Sequence, residues 1–152
     1  MVLGDNRPLR GWKGEVYEGG IRVPALANWP GVLTPGSLSR SVHIVDWMPT
    51  LCALVGYSRQ TDLKWDGKNV WPLICGQAGD GEPRLLYWKT PNAYAIRQGN
   101  RKLVVGKKKT NAELYDLSTD PYEKTDLASQ HPDRVNELKQ LLATVSAQDR
   151  ER

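Results

Sequence analysis

At 152 residues the chain is long enough to bury one core, or one and a half. Its net charge of +4 is scattered rather than gathered on a basic face interleaved with aromatics, so nucleic-acid binding is not expected. No apolar run approaches the length of a membrane-spanning helix, so no membrane partner is expected either.

Residues 1–57 have the character of an α/β layer. Residues 9–24 are glycine-rich and basic, and Gly11, Gly14, Gly19 and Gly20 let the backbone turn sharply or approach a ligand. Lys13 sits among them, and an ammonium beside free backbone N–H groups suits an oxyanion. The G-x-x-x-x-G-K-[ST] spacing of a P-loop is absent, and a plain basic surface turn is the alternative. Ile21 to Trp29 is a short apolar run closed by Trp29-Pro30-Gly31, which predicts a buried strand and a turn. Val32 to Arg40 is a loop. Val45, Met48, Leu51, Cys52 and Val55 then fall on one face of a helix, with Asp46 at its positive end and Gly56 past its end. His43 reads as a hydrogen-bonded residue at the helix start.

Residues 58–84 are loop-like, with Trp65, Trp71, Leu73 and Ile74 pinning them to a core. Residues 85–152 predict a small α+β unit. Leu85 to Trp88 is a strand, and Ala93–Gln98 and Arg101–Val105 flank Gly99-Asn100 as a hairpin. Tyr94 and Ile96 should share a face with Leu103 and Val105. Glu113 to Leu117 adds a strand, and Asp120-Pro121 makes a turn. Pro132 opens a helix whose Val135, Leu138, Leu142 and Val145 form a core stripe packing on the sheet. Lys107-Lys108-Lys109 reads as a solvated turn. Cys52 and Cys75 match no metal or redox spacing and read as free, buried thiols.

Four ordered blocks carry a resemblance. They are Pro8-Leu9-Arg10-Gly11-x-Lys13-Gly14 with Tyr17-Glu18-Gly19-Gly20-Ile21-Arg22-Val23-Pro24; His43-x-x-Asp46-Trp47-x-Pro49-Thr50-Leu51; Asp66-Gly67 with Pro72-Leu73-x-x-Gly76; and Glu113-Leu114-Tyr115-Asp116-Leu117 through Asp120-Pro121-x-Glu123 to Asp126-Leu127-Ala128. The set resembles the carboxyl-terminal part of type I sulfatases, the arylsulfatase family. The resemblance implies an alkaline-phosphatase-like α/β fold, present in part, followed by the small antiparallel sheet and helix. It implies a sulfuric ester hydrolase in which Lys13 contacts the sulfate of a sulfate-ester substrate. Arg10 could assist in binding substrate or pair with Glu18. Asp5 and Asn6 could correspond to a calcium-binding Asp-Asn pair, although an Asx turn is the plainer reading. Tyr94, Arg97 or Lys102 could reach substrate from the hairpin.

The same resemblance implies a formylglycine nucleophile, made from the first residue of a C-x-P-x-R or S-x-P-x-R signature. Neither Cys52-Ala53-Leu54 nor Cys75-Gly76-Gln77 fits, so the formylglycine and most calcium ligands are expected in an amino-terminal sulfatase domain outside these residues, and the chain alone is expected to be inactive. Self-association through the apolar Ile21–Trp29 segment is expected, as is a periplasmic, secreted or lysosomal setting. Two other readings stay open: a noncatalytic domain that binds sulfated glycans or a partner chain, and part of a related phosphate or phosphonate ester hydrolase.

Overall fold

The computed structural model describes residues 5–57, 64–77, 83–107 and 111–149. The chain forms two compact units, one joining Met1–Pro24 to Pro83–Arg152 and the other spanning Ala25–Glu82. This differs at the amino terminus from the expected division into 1–57, 58–84 and 85–152, because the glycine-rich loop belongs with the sheet.

The sheet of the first unit is an antiparallel meander, β1 (Leu85–Lys89), β2 (Ala93–Gln98), β3 (Arg101–Gly106) and β4 (Ala112–Asp116), in that spatial order. The β2–β3 hairpin closes at Gly99-Asn100, with Gln98 opposite Arg101. Gly99 has φ +61, the left-handed conformation that a type II′ turn needs at its first loop position. Tyr94 faces Val105 and Ile96 faces Leu103, as the alternation requires. On that side Ile96, Leu103, Val105 and Leu114 bury against Val135, Leu138 and Leu142 of the carboxyl-terminal helix Pro132–Ser146. Pro132 sits at the first turn, where its missing N–H costs nothing.

The opposite face of the sheet is also covered. Ala95, Val104 and Tyr115 pack with Val16, flanked by Tyr17, Trp88, Ala93 and Leu117. The glycine-rich segment is therefore the second lid of a three-layer unit, and a four-residue helix, α1 (Glu18–Ile21), lies within it. With α1 numbered, the helices that follow are α2 (Trp47–Leu54), α3 (Trp71–Ile74) and α4 (Pro132–Ser146).

Ile21 to Trp29 forms no strand; Val23 and Leu26 are exposed, and Trp29 stacks on Trp71 with ring centroids 5.5 Å apart. A strand exists only by pairing, and among the described residues no strand pairs with this segment. The turn that closes it forms as expected, with Val32 N–H donating to Trp29 O at 3.1 Å.

The second unit corrects the reading of α2. A 3₁₀ turn, Ile44–Asp46, leads into it, and the His43 side chain and the Asp46 carboxylate cap each other's backbone, so His43 is the hydrogen-bonded helix-start residue. Of the apolar stripe, Met48 (60%), Leu51 (54%) and Val55 (79%) are exposed, while Val45 and Cys52 are half-buried. The buried side carries polar groups instead. Asp46 accepts from Lys68 N–H at 2.9 Å and Thr50 from Val70 N–H at 2.9 Å, which binds the 64–70 segment to the helix. Cys52 and Cys75 are free and half-buried rather than buried. Of the lysine cluster, Lys108 and Lys109 lie outside the described residues.

Candidate functional site

The tip of the glycine-rich segment is a tight turn over Trp12 to Glu15. Glu15 N–H donates to Trp12 O at 3.0 Å, and Trp12 N–H donates to Glu15 Oε2 at 3.1 Å. Gly11 (φ +81) and Gly14 (φ +97) hold backbone conformations that a side chain would strain. Lys13 occupies the exposed corner between them, and among the described residues it makes no hydrogen bond or ion pair.

The base of the loop is clamped. Gly19 N–H donates to Arg10 O at 2.7 Å, and Asn6 Nδ2 donates to Gly19 O at 2.6 Å. A Cβ on Gly19 would lie 2.3 Å from Gly11 O, and one on Gly20 would lie 2.3 Å from Glu15 O. The double glycine is thus what lets the two limbs of the loop touch.

Two polar clusters then tie the loop to the sheet. In the first, the Arg10 guanidinium lies 3.9 Å over the Tyr17 ring, donates to the Tyr115 hydroxyl, and sits 3.2 Å from Glu113 Oε2. Glu113 also accepts from the Tyr17 hydroxyl at 2.8 Å and from the Tyr115 hydroxyl. Burial and the bond to Glu113 push the Tyr17 phenol up to about 12, and the same causes raise Tyr115 further, so both stay neutral donors.

In the second cluster, Lys102 of β3 is fully buried. Its Nζ donates to Glu18 Oε1 at 2.9 Å and lies 2.8 Å from Glu123 Oε1. At that distance the ammonium and the carboxylate form a fully buried salt bridge. Glu123 Oε2 accepts from Glu18 N–H at 2.7 Å, so one carboxylate holds both the head of α1 and the buried ammonium. Burial raises the Glu123 carboxyl, and Lys102 opposes that rise.

The expected site residues thus separate. Lys13 stands alone at the corner. Arg10 is taken up by its own chain, and its acidic partner is Glu113 rather than Glu18. Lys102 cannot reach a substrate, since its ammonium is sealed under the loop. Arg97 donates to Gly99 O at 2.7 Å, and burial holds its guanidinium below the usual range. Asp5 and Asn6 do not fit calcium. Both Asp5 oxygens hold the Arg7 guanidinium, at 2.8 and 2.6 Å, and this pairing keeps the carboxyl below its usual range. Asn6 spends its amide on Gly19, as part of the loop clamp. Among the described residues, no group of three or more His, Cys, Asp or Glu is placed to hold a metal ion.

The sequence offers Lys102 as a candidate substrate contact and gives Glu123 no role, although a signal for a buried pair exists. Strand alternation puts Lys102 on the same face as Val104, and a lysine pointing into a covered apolar face requires a buried acidic partner.

The sequence matches the family described as N-sulphoglucosamine sulphohydrolase, C-terminal, over residues 11–148. The chain belongs to this sulfatase family. A sulfatase of Formosa agariphila is 31% identical over 146 residues, covering 84% of this chain and 26% of that protein. Arylsulfatase A of Homo sapiens is 32% identical over 163 residues, covering 88% of this chain and 32% of that protein. The solved structure of Ps i-CgsB in complex with k-i-k-neocarrahexaose superposes with a TM-score of 0.84 at 26% identity, over 93% of this chain and 32% of that one. The fold is therefore the carboxyl-terminal part of the alkaline-phosphatase-like sulfatase fold, with the antiparallel sheet and packed helix expected of it. This sulfatase segment spans about a quarter to a third of the length of the relatives it matches. The matched span includes Lys13, whereas Asp5, Asn6 and Arg10 precede it.

Proposed function

We propose that this chain is the carboxyl-terminal portion of a sulfatase that hydrolyses sulfate esters of sugars, and that Lys13 contacts the sulfate group. One observation carries the reading: within a segment matched to the family, Lys13 is the free cation at the corner of a turn whose limbs and base are all clamped. An ammonium held there stabilises charge on sulfate oxygens and on the departing oxygen without reorganising at the moment of reaction. Two names support a sugar ester: a relative matched over 90% of this chain is called N-acetylgalactosamine-6-O-sulfatase, and Ps i-CgsB was solved with an oligosaccharide.

In this reading a formylglycine and a calcium ion, held by other parts of the enzyme, would supply the nucleophile and the screening of sulfate charge. Arg10 acts by holding the loop to Tyr115 and Glu113 rather than by touching substrate. The test is sulfate release from a sugar sulfate by the full-length polypeptide that contains this chain. Lys13→Ala should lower kcat roughly 10²- to 10³-fold, the usual loss for one electrostatic donor at a reacting oxygen. Equal kcat in wild type and variant, with circular dichroism unchanged, refutes the assignment.

A further inference from the structure

Trp12 immediately precedes Lys13 and is 72% exposed. Its indole is a large flat apolar face open to solvent beside the candidate sulfate-contacting lysine. The backbone here is ordered: Trp12 N–H is held by Glu15 Oε2, Trp12 O accepts from Glu15 N–H, and a Cβ on Gly20 would come 2.6 Å from that same carbonyl. The neighbouring aromatics behave otherwise, since Tyr17 is covered by Arg10 and Tyr115 is buried. The loop therefore presents two unengaged groups on one clamped turn, a flat π surface and an ammonium.

We infer that Trp12 is a stacking platform for the sugar ring that bears the sulfate ester. A pyranose turns a patch of C–H bonds, made electropositive by adjacent oxygens, toward an aromatic face, by the same quadrupole attraction that draws cations there. A sulfate on that ring meets Lys13, one residue along. Because the turn is already held, little conformational entropy is lost on binding. The inference rests on the reading of Lys13 given above, but Trp12 makes a separable contribution, to the ring rather than to the anion.

The test uses the full-length polypeptide that contains this chain, ¹⁵N-labelled at tryptophan and lysine, with the Trp12 indole N–H resonance assigned through Trp12→Phe, titrated separately with galactose 6-sulfate, galactose, sodium sulfate and 4-nitrophenyl sulfate. Galactose 6-sulfate should shift both the Trp12 indole and the Lys13 amide. Trp12→Ala should weaken its binding about tenfold while leaving the sodium sulfate affinity within about twofold, and Trp12→Tyr should restore most of the loss. An unchanged galactose 6-sulfate affinity in Trp12→Ala overturns the inference, as does an indole that responds to 4-nitrophenyl sulfate and to neither sugar. An indole resonance that moves on dilution alone also overturns it, because a second copy of the chain is then the occupant. If galactose moves the indole while sodium sulfate leaves Lys13 untouched, the platform stands and the reading of Lys13 falls. If no compound moves either residue, both fall.

Discussion

Replacing Lys102 with methionine tests whether the glycine-rich loop is held by buried charge. The substitution keeps the length and apolar stem of the side chain and removes only the ammonium. Glu18 and Glu123, 4% and 1% exposed, then lose the ammonium that both contact. Breaking a buried pair from one side costs about 3–5 kcal/mol, because an uncompensated charge stays buried. For a chain of this size each kcal/mol lowers Tm by roughly 2–4 °C, so a drop of at least about 6 °C is expected. The pH dependence identifies the cause. Burial already raises the Glu123 carboxyl, and without Lys102 the cation that opposes that rise is gone, so its folded pKa lies above the unfolded one. Lys102→Met should therefore regain stability as pH falls through the folded value toward the ordinary glutamate range. Far-UV circular dichroism melts of wild type and variant between pH 7 and 4.5 provide the assay. The triple variant Lys102→Met, Glu18→Gln, Glu123→Gln should recover much of the loss at pH 7. A Tm within about 3 °C of wild type, or a deficit that does not shrink on acidification, would refute the account.

Three further outcomes follow from the same geometry. Gly19→Ala forces a methyl to within 2.3 Å of Gly11 O, so it should open the loop; hydrogen exchange at Gly19 N–H and Gly20 N–H should accelerate, while β2 and β3 amides stay protected. Leu138→Ala removes a fully buried side chain between α4 and the sheet and should cost about 2–5 kcal/mol in urea denaturation; a loss below about 1 kcal/mol would mean that the helix is not seated on that core. The Ser118 hydroxyl, with Arg101 at 3.2 Å, holds the Asp116 carboxyl below its usual value, so its contribution is present above the ordinary aspartate pKa of 3.8 and lost as pH falls through the lower folded value. Asp116→Asn should accordingly flatten the stability profile below pH 4, and an unchanged acid limb would count against the pairing.

Local chemistry made the carboxyl-terminal part of the fold readable. Strict alternation at Tyr94, Ile96, Leu103 and Val105, a Gly-Asn hairpin and Pro132 at a helix start each act over a few residues, and all three appear where the pattern puts them. The elements that failed depend on distant partners. Ile21 to Trp29 has the composition of a buried strand but no strand to pair with among the described residues. The partnership of Lys102 with Glu18 and Glu123 spans sequence separations that periodicity does not register, and the sequence alone offers Lys102 as a candidate substrate contact rather than as a buried cation. At the site, Lys13 stood out through its glycines and through the family resemblance. That Arg10 would serve Glu113 and Tyr115 instead of Glu18 depends on how the loop lies across β4, which only the folded geometry reveals.

Helix α2 reverses the usual relation between hydropathy and mutational tolerance. Its two polar anchors, Asp46 and Thr50, are the positions at which a substitution strands backbone N–H groups, whereas Met48 and Leu51 touch water. In this chain Met48→Glu and Leu51→Lys should leave the melting temperature nearly unchanged and raise the concentration at which the protein stays monodisperse, and the conservative-looking Thr50→Val should do the damage. Saturation mutagenesis scored on expression, if interpreted by hydrophobicity alone, would locate the core of this helix on the wrong side.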